Sequence, residues 1–355
     1  MQSNKISFKG QKIYVGIDVH LKNWSVTVIT EKGLKRTHPQ KADAKELFEF
    51  LNRHYPDGEY LAVYESGFSG FATYYALKEV GIDCIVINAA DVPSSQYENV
   101  MKTDVIDSEK LARALKGGLL RPIYIREKEN LDDRGVVRIR KTIQKKMAGD
   151  KTRVKHMLHQ NGVTIPERFT KSAYWSGAFI KWLREDVHLL SSTRMSLDLL
   201  IEQVQTQKSM VLKCTRTLRE LSMTPKYRDR YDLLMSIPGI GPIVAMCILT
   251  EVYDITRFSN ERQFASYLGL IPTCHSSGEK VSHGEKTFRG NKKLGPMIVE
   301  TCWIAVNKDA RFSSLYGGYC QRMKHQEAII RVARKMSNII FGVLKNNTAY
   351  VPLDV

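Results

Sequence analysis

No two of the six cysteines stand as a C-x-x-C pair. Neither a zinc ribbon nor a disulfide framework is therefore written into the chain, and reduced thiols in a cytoplasmic protein are expected. Signal-peptide features are missing as well, since the first ten residues are polar and lead straight into a strand-like run. There is no uninterrupted hydrophobic run. The most apolar stretch, Leu233–Val252, is broken by Pro238, Gly239, Gly241 and Pro242, and reads as helix–turn–helix core with no membrane span. Acid is scarce beside base: 54 Lys+Arg face 37 Asp+Glu over 355 residues, a formal net charge of +17. A chain that basic meets a polyanion, nucleic acid ahead of an anionic membrane. At 43% hydrophobic and 26% charged residues the composition is that of a folded chain, long enough for two or three domains.

The first third alternates strand and helix patterns. Lys12–Asp18 and Trp24–Thr30 read as neighbouring strands, with a weaker third at Leu34–Thr37. Ala42–Tyr55 has helical apolar spacing, Tyr60–Glu65 reads as a buried strand, a helix stopped by Gly81 follows, then a strand at Asp83–Asn88 and a helix over Ile106–Leu115. This order implies an α/β domain with a mixed sheet and helices on its faces. From Asn130 to Arg219 the strand signal disappears. Leu197, Val204, Val211 and Leu218 recur every seven residues, but the second row, Ile201, Lys208 and Thr215, decays. One clean row reads as an amphipathic helix packed on its own domain, with packing between protomers as the alternative. After Pro225 a third, mostly helical region runs to Leu344. The expected domains are 10–120, 121–225 and 226–345.

Four acids stand out by position. Asp18 and Glu65 end strands, and Asp104 and Asp107 lie three apart near a helix start, so they share one face. Capping of that helix by Asp104 is the competing explanation for the pair. Strand-terminal carboxylates joined by helical acids supply the hard oxygen ligands that suit Mg2+ and phosphodiester chemistry. Between Arg134 and Lys155 nine Lys/Arg accompany one acid, and Arg134, Arg138, Lys141 and Lys145 form one helical stripe. No acid stands at i+4 to pair with them, which suits a nucleic-acid backbone. Gly239 and Gly241 in "IPGIGPIV" let backbone N–H groups approach a phosphate, as in a helix-hairpin-helix element, or simply make a tight helix–helix turn. Tyr267–Lys293 reads as a loop rich in Ser, His and Gly, with Lys280, Arg289 and Lys292 among its cations. Ser276 and Ser277 are candidate nucleophiles there, although two serines before a glycine also suit a plain turn.

Together these segments resemble the DEDD transposases of bacterial insertion sequences, described as bridge-RNA-guided recombinases, and their relatives the pilin-gene invertases. The resemblance spans Lys12 to Leu344. It rests on "YVGIDVH", "VYESGFSG" and "KTDVIDSEKLA" for Asp18, Glu65, Asp104 and Asp107, and on "SIPGIGPIVA", "FASYLGLIP" and "HSSG" further on. It implies a RuvC-like (RNase H-like) domain, a helical linker and a C-terminal transposase domain in which the serine before the glycine, Ser277, is the nucleophile. It also implies Mg2+ at the four acids, a phosphoserine–DNA intermediate, target and donor DNA and a noncoding bridge RNA as partners, and a dimer or tetramer whose site is shared between protomers. One departure is Gly295, which stands where the family often has Arg, with Arg289 or Lys293 as replacements. A RuvC-like Holliday-junction nuclease and a site-specific DNA invertase are the alternatives.

Overall fold

A computed structural model describes residues 7–94, 101, 103–170, 174–277, 280–286 and 290–352, with backbone alone for 272–277 and 280–286. The chain divides into two compact units, residues 1–125 and 126–355.

The first unit is built on five strands: β1 (Lys12–Val19), β2 (Asn23–Thr30), β3 (Lys35–Lys41), β4 (Glu59–Glu65) and β5 (Asp83–Ile87). Their order is β3-β2-β1-β4-β5. β1, β2 and β3 pair antiparallel, while β4 and β5 continue parallel from β1. This is the mixed sheet with helices that the strand and helix patterns call for. Ile13, Val15, Ile17, Val26 and Val28 lie on one face, buried with Leu47 and Leu51 of α1 (Ala44–His54) and Leu77 of α2 (Ala72–Glu79). The intervening positions face α3 (Asp104–Lys116), where Val63 and Ile87 pack on Leu111. β3 extends to Lys41 despite Pro39 because it is an edge strand, where a missing N–H need not leave a ladder bond unmade.

α3 lies almost on the backbone of β1. A Cβ at Gly16 would sit 2.1 Å from the Ser108 carbonyl oxygen and 2.5 Å from the Ala112 nitrogen. Beside this contact, Ser108 Oγ lies 2.9 Å from Thr27 Oγ1 and 3.2 Å from Ser25 Oγ, all buried. The helix begins at a Thr103 cap, whose hydroxyl accepts from the Ile106 N–H. Asp104 is therefore not the cap but the first residue of the helix, with Asp107 also in its first turn.

The second unit is mostly helical. α4 (Lys128–Gln160) and α6 (Ser191–Ser222) are its two long helices. They run antiparallel: Val154 and Leu158 share a core with Leu197, Ile201 and α5 (Gly177–Glu185), while Val137 and Leu218 enter the larger core at the other end. The heptad row thus packs within its own chain. The larger core holds α7 (Arg228–Met235), α8 (Pro242–Val252), α9 (Glu261–Tyr267), α10 (Leu294–Lys308), α11 (Ala310–Cys320) and α12 (His325–Asn346). Among the described residues no helix is long and apolar enough to cross a membrane.

The segment read as a Ser/His/Gly loop contains a two-stranded antiparallel hairpin, β6 (Pro272–Ser277) and β7 (Lys280–Lys286). The pattern reading missed it because "PTCHSS" and "KVSHGEK" are polar at both parities and carry no alternating apolar face.

The Gly16 contact gives a direct test. Gly16→Ala must force α3 off β1, and overpacking of this kind costs ~1–3 kcal/mol. Denaturant unfolding should show that loss, and hydrogen exchange should quicken across residues 104–116. Unchanged stability and protection would contradict the close packing.

Candidate functional site: an acidic strand-end cluster and a serine hairpin

β1 and β4 are in parallel register with Ile17 opposite Tyr64. Asp18 and Glu65 each follow that last pair by one residue, so they leave adjacent strands on the same side. Asp18 shares its face with Gly16, the face covered by α3. On α3, Asp104 and Asp107 precede Ser108, Leu111 and Ala112 along the inward stripe, which carries both acids to the ends of β1 and β4. All four predicted acids are thus brought to one end of the sheet.

A histidine and a lysine stand between them. His20 Nε2 lies 3.1 Å from Asp18 Oδ2 and 3.4 Å from Asp104 Oδ1. Lys110 Nζ lies 3.1 Å from Asp107 Oδ1 and 3.9 Å from Glu65 Oε1, with the lysine largely buried. The motif reading quoted both residues but assigned neither. Their signal was spacing: His20 stands two beyond Asp18, and Lys110 stands one helical turn beyond Asp107. Burial pushes the Asp18 carboxyl above its usual value; His20 opposes this, and the Asp104 and Asp107 charges add to it. Ligand atoms of Asp18, His20 and Asp104 all lie within 4.8 Å of one another. A carboxylate pushed up by burial beside other acids, with an imidazole nitrogen in reach, is a donor set that a divalent cation would fit.

In the second unit Ser277 is the last residue of β6 and pairs with Lys280, while Ser276 pairs with Val281. Gly278 and Arg289 lie outside the described residues, as do the side chains of Ser276, Ser277 and Lys280. The roots of the hairpin are defined. A Cβ on Gly290 would come within 2.3 Å of Gly269 Cα, so the two legs meet backbone to backbone. The Asn291 N–H donates to the Tyr267 carbonyl at 2.6 Å, and its Oδ1 accepts from the N–H groups of Lys293 and Leu294. Asn291 Nδ2 donates to Tyr267 Oη at 2.9 Å, and Tyr267 Oη donates to the Glu251 carbonyl at 2.7 Å.

Glu251 is the residue that sequence reasoning missed most completely. It is 1% exposed, and its carboxylate accepts from Arg134 Nε at 2.8 Å and Arg138 Nε at 2.8 Å. Arg126 and Asn130 add bonds to the Thr250 carbonyl, and Arg126 also donates to that of Glu251. The stripe read as a free basic face is therefore engaged in part with its own chain. Its acid partner lies 113 and 117 residues away, where a search at i+4 does not look. Lys141 is also tied, donating to the Lys293 carbonyl at 3.1 Å, whereas Lys145 and Lys292 are exposed. One signal was available: Glu251 is the only charged residue in the helix "PIVAMCILTEV".

The glycine pair has a structural use. Gly239 has φ +86°, and a Cβ there would meet the Thr301 carbonyl oxygen of α10 at 2.6 Å, whereas Gly241 caps α8 with open space around it. The freedom of Gly239 is thus spent on helix packing within the chain. Gly295 is buried in the first turn of α10.

Residues 15–162 match the family model of a transposase of the DEDD, IS110 type, and residues 231–317 match that of the transposase IS116/IS110/IS902 family. The chain is 23% identical over 259 residues to the transposase for insertion sequence element IS1533 of Leptospira borgpetersenii, covering 71% of this chain and 73% of the relative. It is 24% identical over 281 residues to the transposase for insertion sequence element IS1111A of Coxiella burnetii, covering 78% and 75%. A shorter match, 30% over 158 residues, is to the insertion element IS110 uncharacterized 43.6 kDa protein of Streptomyces coelicolor, covering 44% and 39%.

Burial raises the Glu251 carboxyl, but the Arg138 hydrogen bond and the charges of Arg134 and Arg138 outweigh it and hold the group at about 2, below its ordinary 4.5. A folded-state value depressed in this way contributes stability that is complete above about pH 4.5 and lost as pH falls toward 2. Glu251→Gln strands both arginines and should cost on the order of 3 kcal/mol at neutral pH. Denaturant midpoints measured across pH should show the gap between wild type and Glu251→Gln narrowing over that acid window. A gap that stays constant to pH 2 would contradict the pairing.

Proposed function

We propose that this chain, an IS110/IS116-family DEDD transposase by its two family matches and by the names of its relatives, is the transposase of an insertion sequence. On this reading it cuts and rejoins DNA by phosphoryl transfer at its four acids. Ser277 is the nucleophile, and a noncoding RNA supplies sequence recognition. The observation that carries the reading is the convergence of Asp18, Glu65, Asp104 and Asp107 at one end of a mixed sheet, held in two pairs by His20 and Lys110. The sheet suits the RuvC-like, RNase H-like domain of the family.

Asp18, Glu65, Asp104 and Asp107 would hold Mg2+, which when bound supplies Lewis-acid stabilisation of charge on the scissile phosphate. His20 lies between Asp18 and Asp104, and Lys110 between Asp107 and Glu65, so each pair of acids has a nitrogen beside it. The Ser277 hydroxyl attacks phosphorus: the Oγ–P bond forms, the bond to the leaving strand breaks, and that strand's oxygen takes up the proton. A hydroxyl from another strand reverses the step, so bond energy is kept without ATP. The guide RNA, the paired target and donor DNAs and the dimer-to-tetramer assembly are what the resemblance supplies. The net charge of +17 suits a protein that holds several nucleic-acid backbones.

A second reading, a RuvC-like junction nuclease, draws on the same acids, which suffice for attack by water. Trapped complexes separate the two. With Mg2+, a denaturing gel should show a protein–DNA adduct mapping to Ser277. Ser277→Ala should bind and form none, while Ser276→Ala stays largely active. Asp104→Asn and Glu65→Gln should abolish strand exchange and leave nucleic-acid binding largely intact. Cleavage without an adduct would favour the nuclease, and a linkage at Ser276 would overturn the assignment.

Binding should also weaken steeply with salt. Lys145→Glu with Lys292→Glu removes two exposed cations and should lower affinity across unrelated sequences, with the salt slope reduced by about 1 per lost phosphate contact. Affinity that is flat between low and moderate salt would count against this surface.

A further inference from the structure

Six large apolar side chains are exposed among the described residues of the first unit: Leu21, Leu34, Phe68, Met101, Val105 and Leu119. Four of them stand within three positions of an acid of the cluster. Leu21 is three beyond Asp18, Phe68 three beyond Glu65, Met101 three before Asp104, and Val105 directly after it. Each of these apolar side chains thus stands close along the chain to a carboxylate of the cluster, and exposed apolar surface beside a functional centre is where a ligand is expected to be met.

Phe68 is the most specific member. It is 67% exposed, and among the described residues its ring has no aromatic or cationic partner. It sits on a turn held from both sides. The Ser66 N–H donates to the Ile87 carbonyl at 2.8 Å, and the Gly70 N–H to the Gly67 carbonyl at 3.1 Å. Beneath the turn, buried Tyr64 donates its hydroxyl to the Gly70 carbonyl at 2.8 Å and accepts from the Tyr74 N–H at 3.2 Å. Gly70, at φ +54°, closes the turn in a region that disfavours larger residues. The turn therefore supports a ring that stays two-thirds exposed among the described residues.

We propose that Phe68 is a nucleobase platform: it stacks on an unpaired base next to the phosphate held at the acids, with Leu21 and Val105 giving apolar contact beside it. This rests on the reading of the acids as a site for a DNA phosphodiester. A strand that places one phosphate at the carboxylates necessarily brings the two flanking bases with it, and a base face is the apolar surface every strand carries. Stacking is indifferent to base identity, as befits a protein whose sequence recognition is delegated elsewhere. A base face is free only where the helical stack is interrupted, so the platform favours strands that are unpaired or branched at the reacting phosphate.

The test uses the full chain with Ca2+ and a short oligodeoxythymidylate carrying one 5-iododeoxyuridine, beside a fully paired duplex. Irradiation should crosslink the base to Phe68. Phe68→Ala should lose ~5–150-fold in single-strand affinity, the equivalent of ~1–3 kcal/mol per stacked base, with duplex affinity and thermal midpoint little changed. Phe68→Trp should restore binding, with its indole fluorescence quenched by the base, whereas Phe68→Leu should not. Unchanged single-strand affinity in Phe68→Ala with crosslinks elsewhere overturns the proposal. So does a changed sedimentation coefficient with intact strand affinity, which would assign the patch to a second copy of the chain. If Phe68 crosslinks but Asp104→Asn cuts DNA like the wild type, the acid-site reading fails and the platform stands.

Discussion

The contact between Gly16 and the carbonyl of Ser108 sets the geometry of the first unit. With no side chain at Gly16, α3 settles onto β1 at a distance a Cβ would forbid, and Ser108 bonds to the hydroxyls of Ser25 and Thr27 beside it. Those two hydroxyls lie on the same face of the sheet as Gly16 and Asp18, since Gly16 pairs with Thr27 and Asp18 with Ser25. The helix therefore starts where β1 ends. Its first-turn acids arrive beside Asp18 and Glu65 because the packing below them leaves no other register. Exposed loops could not hold four like charges this closely; a strand pair and a docked helix can, because each carboxylate is attached to backbone already fixed by hydrogen bonds.

In the second unit the corresponding constraint is a buried charge. Glu251 sits in an otherwise apolar helix, and desolvation alone would drive it neutral. The guanidinium groups of Arg134 and Arg138 reverse that outcome. They turn α4 into a helix that cannot slide along α8 without stranding charges. The backbone carbonyl of the same residue receives Tyr267, and Tyr267 receives Asn291, so one buried carboxylate and its peptide group reach both roots of the serine hairpin.

The first unit was largely legible in its sequence because its signals are local. Strand-ending acids, a D-x-x-D pair and alternating valines and isoleucines each sit within one element, and the β1 and α3 faces follow from periods of 2 and 3.6. The Thr103 cap was less visible, since Asp104 beside it competes as a cap on residue type alone. The second unit hid what depended on distant partners. Arg134 and Arg138 look unpaired until a helix more than a hundred residues later supplies Glu251. Gly239 looks like a phosphate-binding glycine until α10 occupies the space beside it. The hairpin of β6 and β7 hid for another reason: it is held by its backbone ladder and its roots, and its side chains show no buried face to read.

The two units differ in their electrostatics, and on the proposed function this bears on how the chemistry would be controlled. Around the hairpin roots Glu251 is one acid among Arg134, Arg138, Lys141 and Lys293; burial lowers the Lys293 pKa, and the Arg138 charge lowers it further. At the strand-end cluster Lys110 balances the carboxylates only in part, so a bare phosphate meets net repulsion. On the proposed function, such a site would admit a phosphodiester when a divalent cation accompanies it, and would hold it by more than charge only where apolar residues such as Phe68 and Leu21 meet a base. On the proposed function, binding to the basic surface and reaction at the acids would then be separable events, the first general to nucleic acid and the second restricted to a strand that is unstacked at the phosphate to be cut.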